Sequence, residues 1–420
     1  MNSVGISSPA VIAIVSRAQA LDKTAAILAQ MKRDAGCHGT VVLELDRKAR
    51  PDVLLGPLQD LAAVSDSVIV SAESSLSEWF LENRERLGAS VSVVQARDIE
   101  SMLRDRGEAA SVVVLAPIGP IGRCGRVIVA WARKQRRPLI GFFKSLHDEG
   151  QGLTTVPLRS WRRQITTVRS YFRGLRSRVK VGEALRPHDF TILMTFSDQH
   201  ERVIAPLAGP AMLFRSGYPL LYPAWQEDRI ARFAGLAQPA RGRVCVLFTR
   251  GQAISRTSES SVVSDDDCIA LACDVVGELR SRGESWRIVI KPHPLQATDR
   301  LRAVFHGAPD VVFSDASAAT VVRSADVVVA TYSSTVIDAV ASGVPAIEYF
   351  FENEYFRRKH PTGSPFLQFG VLPARNPEQL SNRIEDALRT GIRPSPLVDE
   401  LSFVPDFSRL WRLPRDDEGS

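Results

Sequence analysis

Residues 326–343 read DVVVATYSSTVIDAVASG, a strand pattern that passes directly into a helix pattern. Its Val-rich start, 326–330, is typical of a buried strand in a parallel sheet. The part 336–342 has a helical pattern, which Gly343 ends. A strand followed at once by a helix predicts one unit of an α/β domain.

Three successive hydroxyl side chains, Ser333, Ser334 and Thr335, lie at the predicted turn from strand to helix. We expect Ser333 or Ser334 to be the helix N-cap. Plain N-capping would explain one of these residues. The free N–H groups of a helix start, with hydroxyls beside them, are typical of an anion site. The row of hydroxyls therefore favours phosphate binding.

A second motif, Lys291-Pro292-His293-Pro294, follows the predicted strand 287–290. The prolines favour an extended backbone at His293, because a residue before proline avoids the helical region. Histidine titrates near neutral pH, so a histidine fixed at a strand end can protonate or stabilise a leaving phosphate. A turn histidine without chemistry is the alternative, and the position beside Lys291 after a buried strand favours function.

Strand and helix patterns alternate in both halves of the chain. In the first half they predict strands at 10–16, 40–45, 67–71, 91–95, 111–116 and 138–143, and helices at 18–34, 75–87, 97–106 and 124–135. In the second half they predict strands at 244–248, 287–290, 311–313, 326–330 and 345–350, and helices at 265–282, 317–324, 334–342 and 377–390.

A chain of 420 residues with these patterns predicts an α/β fold of two doubly wound, Rossmann-like parallel-sheet domains that face a cleft. Ligands of such sheets bind beyond the carboxyl ends of the strands. We expect the segments to be an N-terminal domain at 1–190, a proline-rich connection at 191–240, a C-terminal domain at 241–400 and a tail at 401–420.

Composition narrows the class of protein. Hydrophobic residues make up 45% and charged residues 24% of the chain, which is the balance of a globular protein. No apolar run reaches the length of a membrane span, and residues 1–10 lack the basic start of a signal peptide. Five scattered cysteines without a CxxC pair favour reduced thiols, and hence a cytoplasmic protein.

A third candidate motif lies in the first half, where the predicted strand 138–143 runs into Lys144-Ser145-Leu146-His147-Asp148-Glu149-Gly150. Paired carboxylates beside flexible glycines at a strand end suit a general base that faces a cleft. A solvated acidic turn is the alternative.

Together the three motifs resemble those of bacterial sialyltransferases and polysialyltransferases. Asp148-Glu149-Gly150 resembles their acidic-acidic-Gly motif, 291–294 their HP motif and Ser333-Ser334-Thr335 their Ser-Ser/Thr motif, in the same order. The resemblance covers about 138–350. It implies a GT-B fold, a CMP-activated sialic acid as co-substrate, inversion at the anomeric carbon, no metal and no cofactor.

The same resemblance implies a role for each motif. Asp148 would be the base that deprotonates the acceptor hydroxyl, and Glu149 would position or tune it. His293 would stabilise or protonate the departing CMP phosphate. The residues expected to bind the donor are Lys291, Pro294, Ser333, Ser334 and Thr335.

Further positions are weaker candidates. Glu348, near the end of the predicted strand 345–350, stands where GT-B donor sites place a ribose-binding carboxylate, or it is a plain strand-end charge. Gly251, in Arg250-Gly251-Gln252, would let the backbone approach the donor. Gly119, Gly122 and Gly125 do not form a GxGxxG fingerprint and predict a strand-to-helix turn.

The segment 153–182 holds seven arginines and Lys180 but no acidic residue. Its apolar residues recur at helical spacing, which predicts a helical insert with basic flanks. A solvated basic face is one interpretation. The others are contact with an anionic membrane leaflet and binding of an acidic glycan or lipid-linked acceptor, whereas no nucleic-acid motif accompanies the charge. The arginines proposed for such a contact are Arg162, Arg163, Arg169 and Arg173.

The resemblance thus implies an inverting glycosyltransferase that moves a sialic-acid-like sugar from a CMP-activated donor to a glycan or lipid-linked acceptor. We expect it in the cytoplasm, with peripheral contact to the inner face of the cell membrane as an option. Capsule Kdo transferases and CDP-glycerol glycerophosphotransferases share the HP and Ser-Ser signals, so a transferase using CMP-Kdo or CDP-glycerol is the first alternative. A non-catalytic GT-B-like scaffold is the second.

Overall fold

The computed structural model describes residues 9–17, 20–45, 51–74, 76–87, 90–107, 111–143, 184–227, 242–250, 262–293, 296–314, 316–361, 363–391 and 395–411. Asp148, Glu149, Gly251, Pro294 and the basic segment 153–182 lie outside these residues. The chain forms two compact units. The N-terminal unit consists of Met1–Pro51, Pro57–Trp225 and Phe403–Ser420. The C-terminal unit consists of Asp52–Gly56 and Gln226–Ser402.

The N-terminal unit contains a sheet of eight parallel strands in the order β10-β9-β7-β5-β1-β2-β3-β4. The strands of this half, with the short antiparallel pair β6–β8, are β1 (Ala10–Val15), β2 (His38–Leu43), β3 (Ser67–Ser71), β4 (Val91–Val94), β5 (Val112–Pro117), β6 (Gly119–Pro120), β7 (Leu139–Phe142), β8 (Ala184–Leu185), β9 (Ile192–Thr195) and β10 (Met212–Arg215). Val- and Ile-rich runs form its centre, because a strand covered on both faces is buried along its whole length.

Helices of the first half connect these strands. They are α1 (Leu21–Ala35), α2 (Pro51–Val64), α3 (Ser77–Glu82), α4 (Arg84–Leu87), α5 (Ala96–Gly107), α6 (Arg123–Lys134) and α7 (Asp198–Ala208). Local chemistry fixes their ends. Helix α1 stops at Gly36, which has a left-handed φ of 61° and donates its N–H to Lys32 O at 2.8 Å. Helix α7 starts at Ser197, whose hydroxyl accepts the N–H of His200 at 3.0 Å.

The C-terminal unit contains a sheet of six parallel strands in the order β13-β12-β11-β14-β15-β16. Its strands are β11 (Arg243–Thr249), β12 (Trp286–Pro292), β13 (Val311–Phe313), β14 (Val327–Ala330), β15 (Ala346–Tyr349) and β16 (Leu372–Ala374). The helices of this half are α8 (Asp265–Ser281), α9 (Asp299–Val304), α10 (Ala318–Val322), α11 (Thr335–Ala341), α12 (Glu354–Lys359), α13 (Pro377–Thr390) and α14 (Pro396–Leu401).

The strand orders confirm two doubly wound α/β units. In each sheet the chain winds outward in both directions from one central strand. This strand is β1, between β2 and β5, in the N-terminal sheet, and β11, between β12 and β14, in the C-terminal sheet. The crevice at the carboxyl ends of such strands is the usual ligand site, called the topological switch point. No described helix is long and apolar enough to cross a membrane.

The predicted connection at 191–240 differs from the structure. Strands β9 and β10 and helix α7 belong to the N-terminal unit, where Leu193 and Met194 are fully buried. The prolines of this segment do not indicate irregular structure. Pro187 and Pro219 are the first residues of 3-10 helices, a position at which the missing N–H of proline breaks no hydrogen bond.

The predicted tail at 401–420 also differs where it is described. Residues Phe403–Ser420 group with the N-terminal unit. The ring of Phe407 is fully buried, 5.7 Å from Phe214 and 5.8 Å from Tyr222 between ring centroids. Its N–H donates to Asp34 Oδ2 at 3.0 Å. The chain end therefore contributes to the core of the first unit.

A carboxylate of the protein occupies the switch point of the N-terminal sheet. Glu44, just after β2, accepts the N–H groups of Cys124 at 2.6 Å and of Gly125 at 2.8 Å, at the start of α6. Burial raises the pKa of Glu44, and these two hydrogen bonds oppose that rise. A Cβ atom on Gly122 would lie 2.5 Å from Glu44 Oε1. The anion position at this helix start is therefore filled from within the chain.

We expect Gly122→Ala to lower the free energy of unfolding by about 1.5–3 kcal/mol, because Glu44 would have to give up charge-assisted hydrogen bonds. Backbone strain contributes nothing, since the φ of Gly122 is −80°. Gly277→Ala is the control: it lies inside α8, and its Cβ would meet nothing within 4 Å. That variant should gain roughly 0.5–1 kcal/mol in urea unfolding. Equal stabilities of the two variants would contradict the packing at Gly122.

Candidate functional site

The second switch point lies at the carboxyl ends of β11, β12 and β14. In the register of the sheet Phe248 is opposite both Lys291 and Ala330, so the three strands end at one edge. Neighbouring strands are about 4.8 Å apart. The segments that follow β12 and β14 are therefore separated by about 10 Å, with the end of β11 between them. We call Arg250, His293 and 331–335 at this edge the C-terminal switch point.

The turn 331–335 is tied to the end of β11. Thr331 Oγ1 accepts the N–H of Arg250 at 2.7 Å. Ser333 Oγ accepts the hydroxyl of Thr335 at 3.0 Å and its N–H at 3.5 Å. Ser334 occupies the N-cap position of α11 with a helical backbone (φ −64°), and its side chain makes no capping hydrogen bond. The N-cap prediction is thus divided: Ser334 has the position, and Ser333 contacts the N–H group.

Arg250 brings positive charge to this turn. Its guanidinium Nη1 donates to the carbonyl oxygen of Tyr332 at 3.3 Å, and its Cζ lies 5.9 Å from the centroid of the Tyr332 ring. A guanidinium beside hydroxyl groups suits a phosphate, because its planar donors match phosphate oxygens. The sequence Arg250-Gly251-Gln252 indicates only a close approach of the backbone. The role of the Arg250 side chain has no local sequence signal, since only the folded sheet brings β11 next to β14.

Hydrogen bonds to Thr249 and Gln296 fix the loop of His293. The N–H of His293 donates to Thr249 O at 3.0 Å, and its carbonyl accepts the N–H of Gln296 at 2.9 Å. The Gln296 side chain is buried, accepts the Thr249 hydroxyl at 3.0 Å and donates to Cys268 Sγ at 3.3 Å. His293 is half-buried at the edge, whereas Lys291 is buried within β12.

Glu348 is fully buried near the end of β15. Its Oε2 atom pairs with Arg375 Nη2 at 2.8 Å, and its Oε1 atom accepts the Ser364 hydroxyl at 2.8 Å. Burial raises the pKa of Glu348, and the charge of Arg375 opposes that rise. The ion pair accounts for this carboxylate without a ligand, so contact with a donor ribose stays a prediction.

Other predicted residues are distributed as follows. His293, Ser333, Ser334 and Thr335 come together at one edge of one sheet, as the strand pattern predicts. Gly122 precedes α6 and confirms the strand-to-helix turn. Among the residues that the structure describes, no group of three or more His, Cys, Asp or Glu side chains could hold a metal ion.

Comparison with known proteins identifies the fold. No protein-family model matches the sequence, and no curated protein matches it. The structure is similar to UDP-GlcNAc 2-epimerase from Methanocaldococcus jannaschii, with a TM-score of 0.51 and 11% identity over 94% of this chain and 97% of that chain. It is similar to a putative UDP-N-acetylglucosamine 2-epimerase from Listeria monocytogenes, with a TM-score of 0.50 and 13% identity over 94% and 90% of the two chains. It is also similar to Phytolacca americana UGT2, with a TM-score of 0.50 and 11% identity over 96% and 94%. These similarities cover nearly the whole of each chain, and with the two parallel sheets they show that the protein has the two-domain GT-B fold.

Proposed function

We propose that this protein is a nucleotide-sugar-dependent glycosyltransferase whose donor phosphate binds at the C-terminal switch point. One observation carries the proposal: the Arg250 guanidinium, the Ser333 hydroxyl and the His293 loop converge at the carboxyl edge of β11, β12 and β14. A cation, hydroxyls and a titratable imidazole are the groups that bind and protonate a leaving phosphate.

Ligands of the similar structures support the choice of a nucleotide sugar. Phytolacca americana UGT2 is complexed with UDP-2fluoro-glucose and pterostilbene. A structure of S. aureus MnaA, with a TM-score of 0.50 and 9% identity, holds UDP. The N-terminal switch point is filled by Glu44, which favours the C-terminal unit as the nucleotide site.

The sequence motifs extend the proposal to the sugar and the reaction. The donor would be a CMP-activated sialic-acid-like sugar, and the acceptor a glycan or a lipid-linked glycan. In one displacement the acceptor oxygen bonds to the anomeric carbon while the bond from that carbon to the CMP phosphate oxygen breaks. Asp148 takes the proton of the acceptor hydroxyl, with Glu149 beside it, and His293 stabilises or protonates the departing phosphate.

The remaining motif residues keep the roles that the resemblance gives them. Ser333, Ser334 and Thr335 hold the phosphate, and the other donor contacts of the proposal are Lys291, Pro294, Gly251 and Glu348. The basic segment 153–182 would contact the acceptor or an anionic membrane surface through its arginines.

A UDP-sugar is the second candidate donor, because the similar structures include UDP-sugar enzymes. A donor screen separates the candidates. The purified chain is incubated with CMP-sialic acid, CMP-Kdo, CDP-glycerol, UDP-glucose and UDP-GlcNAc, with and without cell-envelope acceptors, and the released CMP or UDP is measured for each donor. We expect acceptor-dependent release of CMP from CMP-sialic acid. Release from a UDP-sugar alone would favour the second candidate, and release from none would contradict both.

Arg250→Ala should weaken binding of the donor nucleotide about 10- to 100-fold, because a hydrogen bond to a charged group contributes about 1.5–3 kcal/mol. Titration calorimetry with CMP and UDP measures the change. Arg243→Ala is the matched control: Arg243 begins the same strand at the opposite edge and pairs with Glu284 at 3.1 Å. Its variant should bind like the parent chain. Equal affinities of both variants would remove Arg250 from the phosphate site.

A further inference from the structure

Tyr332 has an unusual backbone. Its φ is +52°, in the left-handed region that non-glycine residues rarely adopt. Among the described residues only Arg136 shares this feature, and Arg136 lies just past the end of α6, where left-handed residues commonly close a helix. Tyr332 instead precedes Ser333 and Ser334 in the turn after β14. A strained conformation inside a site persists only where surrounding contacts hold it.

Aromatic rings hold the Tyr332 side chain in the interior. Its ring centroid lies 5.5 Å from that of Phe350, 5.6 Å from Phe356 and 5.7 Å from Phe366, and the Tyr332 side chain is buried. A phenol hydroxyl in such surroundings needs a hydrogen-bond partner. The partner is Nε2 of His360, which is also buried.

His360 is itself fixed on both sides. Its N–H donates to Phe356 O at 2.8 Å, and its carbonyl accepts the N–H of Gly363 at 3.1 Å. Ser364, which follows Gly363, donates its hydroxyl to the buried Glu348. The imidazole is therefore a buried group of a hydrogen-bonded loop, and it contacts the Tyr332 hydroxyl.

We propose that His360 is a positioning residue of the donor site: its hydrogen bond to the Tyr332 hydroxyl holds the left-handed turn and so orients Ser333, Ser334 and the Tyr332 carbonyl that binds Arg250. This inference rests on the proposed function for what the turn binds. The turn geometry itself can be tested without any turnover.

The test uses three variants of the pair and one control. Tyr332→Phe removes only the hydroxyl, His360→Ala removes its partner, and His360→Gln keeps an amide that can bond to the hydroxyl. Tyr349→Phe is the control, because Tyr349 is a buried tyrosine of neighbouring strand β15 whose hydroxyl donates to Asp274 Oδ2 at 2.7 Å. Each full-length variant is examined for unfolding, for binding of CMP and UDP, and for amide exchange at 331–335.

Tyr332→Phe and His360→Ala should raise the Kd for the nucleotide and the donor KM about 3- to 10-fold, the effect of one hydrogen bond, with kcat nearly unchanged. Amide exchange at 331–335 should become faster in both variants. His360→Gln should restore nucleotide affinity to within about 2-fold of the parent chain. Tyr349→Phe should bind nucleotide like the parent chain, even if it loses as much stability as Tyr332→Phe.

Two results are decisive. Parent-like affinity and parent-like exchange in both Tyr332→Phe and His360→Ala would overturn the role of His360. If the parent chain binds neither CMP nor UDP, the proposed function fails instead, and the exchange rates at 331–335 alone decide whether His360 holds the turn.

Discussion

His293→Ala is expected to fold normally and to transfer sugar at least ~100-fold more slowly than the parent chain. The reason is local: His293 follows β12 at the switch point, held by hydrogen bonds from its N–H to Thr249 and from Gln296 to its carbonyl. A positioned acid that assists the leaving phosphate contributes about 10²–10⁴-fold to the rate. Initial rates of nucleotide release at saturating donor measure the effect. Asp148→Ala should have an effect of the same size, because it removes the proposed base.

The control for His293 is His306→Ala. His306 is an exposed histidine of the same unit, in the turn after α9, where its N–H donates to Ala303 O at 3.3 Å. Its variant should keep parent activity. Parent-like turnover in both His293→Ala and Asp148→Ala would remove these residues from the mechanism.

Glu348→Ala should lower the free energy of unfolding by about 3–5 kcal/mol, because it leaves the Arg375 charge in the interior without its main partner. The Arg375 side chain is only 18% exposed and stacks on Phe350, with 4.2 Å between Cζ and the ring centroid. Urea or guanidinium unfolding measures the loss. Glu352→Ala removes the other carboxylate of Arg375, at 2.8 Å and 34% exposed, and should cost at most about 1 kcal/mol. Equal losses of unfolding free energy in Glu348→Ala and Glu352→Ala would contradict the claim that burial of Glu348 makes its ion pair the more important one.

The burial of Glu348 also predicts a pH dependence. Burial raises the pKa of Glu348 above its ordinary value of 4.5 in the folded state. The folded protein therefore binds this proton more tightly than the unfolded chain. The contribution of Glu348 to stability increases as pH falls through the raised pKa and is lost as pH rises. Glu348→Gln, which does not titrate, should show a flatter stability profile above pH 4.5 than the parent chain, and an unchanged profile would contradict the raised pKa.

The sequence predicted most strands and the class of fold. Runs such as Val327–Ala330 are short, apolar and followed by turn residues, and strands in buried parallel sheets need little else. Helix Pro51–Val64 was missed because Pro57 lies inside it and proline normally ends a helix. Short elements, such as Asp299–Val304 and Leu372–Ala374, are too brief for periodicity to detect.

The site was predicted only where it is local in sequence. The hydroxyl row Ser333-Ser334-Thr335 and the His293 motif can be found by their composition and their place after strands. The contacts of Arg250 with Tyr332, of Tyr332 with His360 and of Glu348 with Arg375 join distant segments. These contacts form only when the strand order brings the segments together, so no local sequence pattern predicts them. The left-handed backbone of Tyr332 is likewise a consequence of packing.

Hydrogen exchange of the parent chain, with and without saturating CMP or UDP, compares the two switch points in one measurement. We predict slower exchange with nucleotide in 331–341, where Arg250 and the hydroxyl turn meet. The start of α6 should be unchanged, because Glu44 already occupies its N–H groups. Protection at the start of α6 with none in 331–341 would contradict a donor site at the C-terminal switch point.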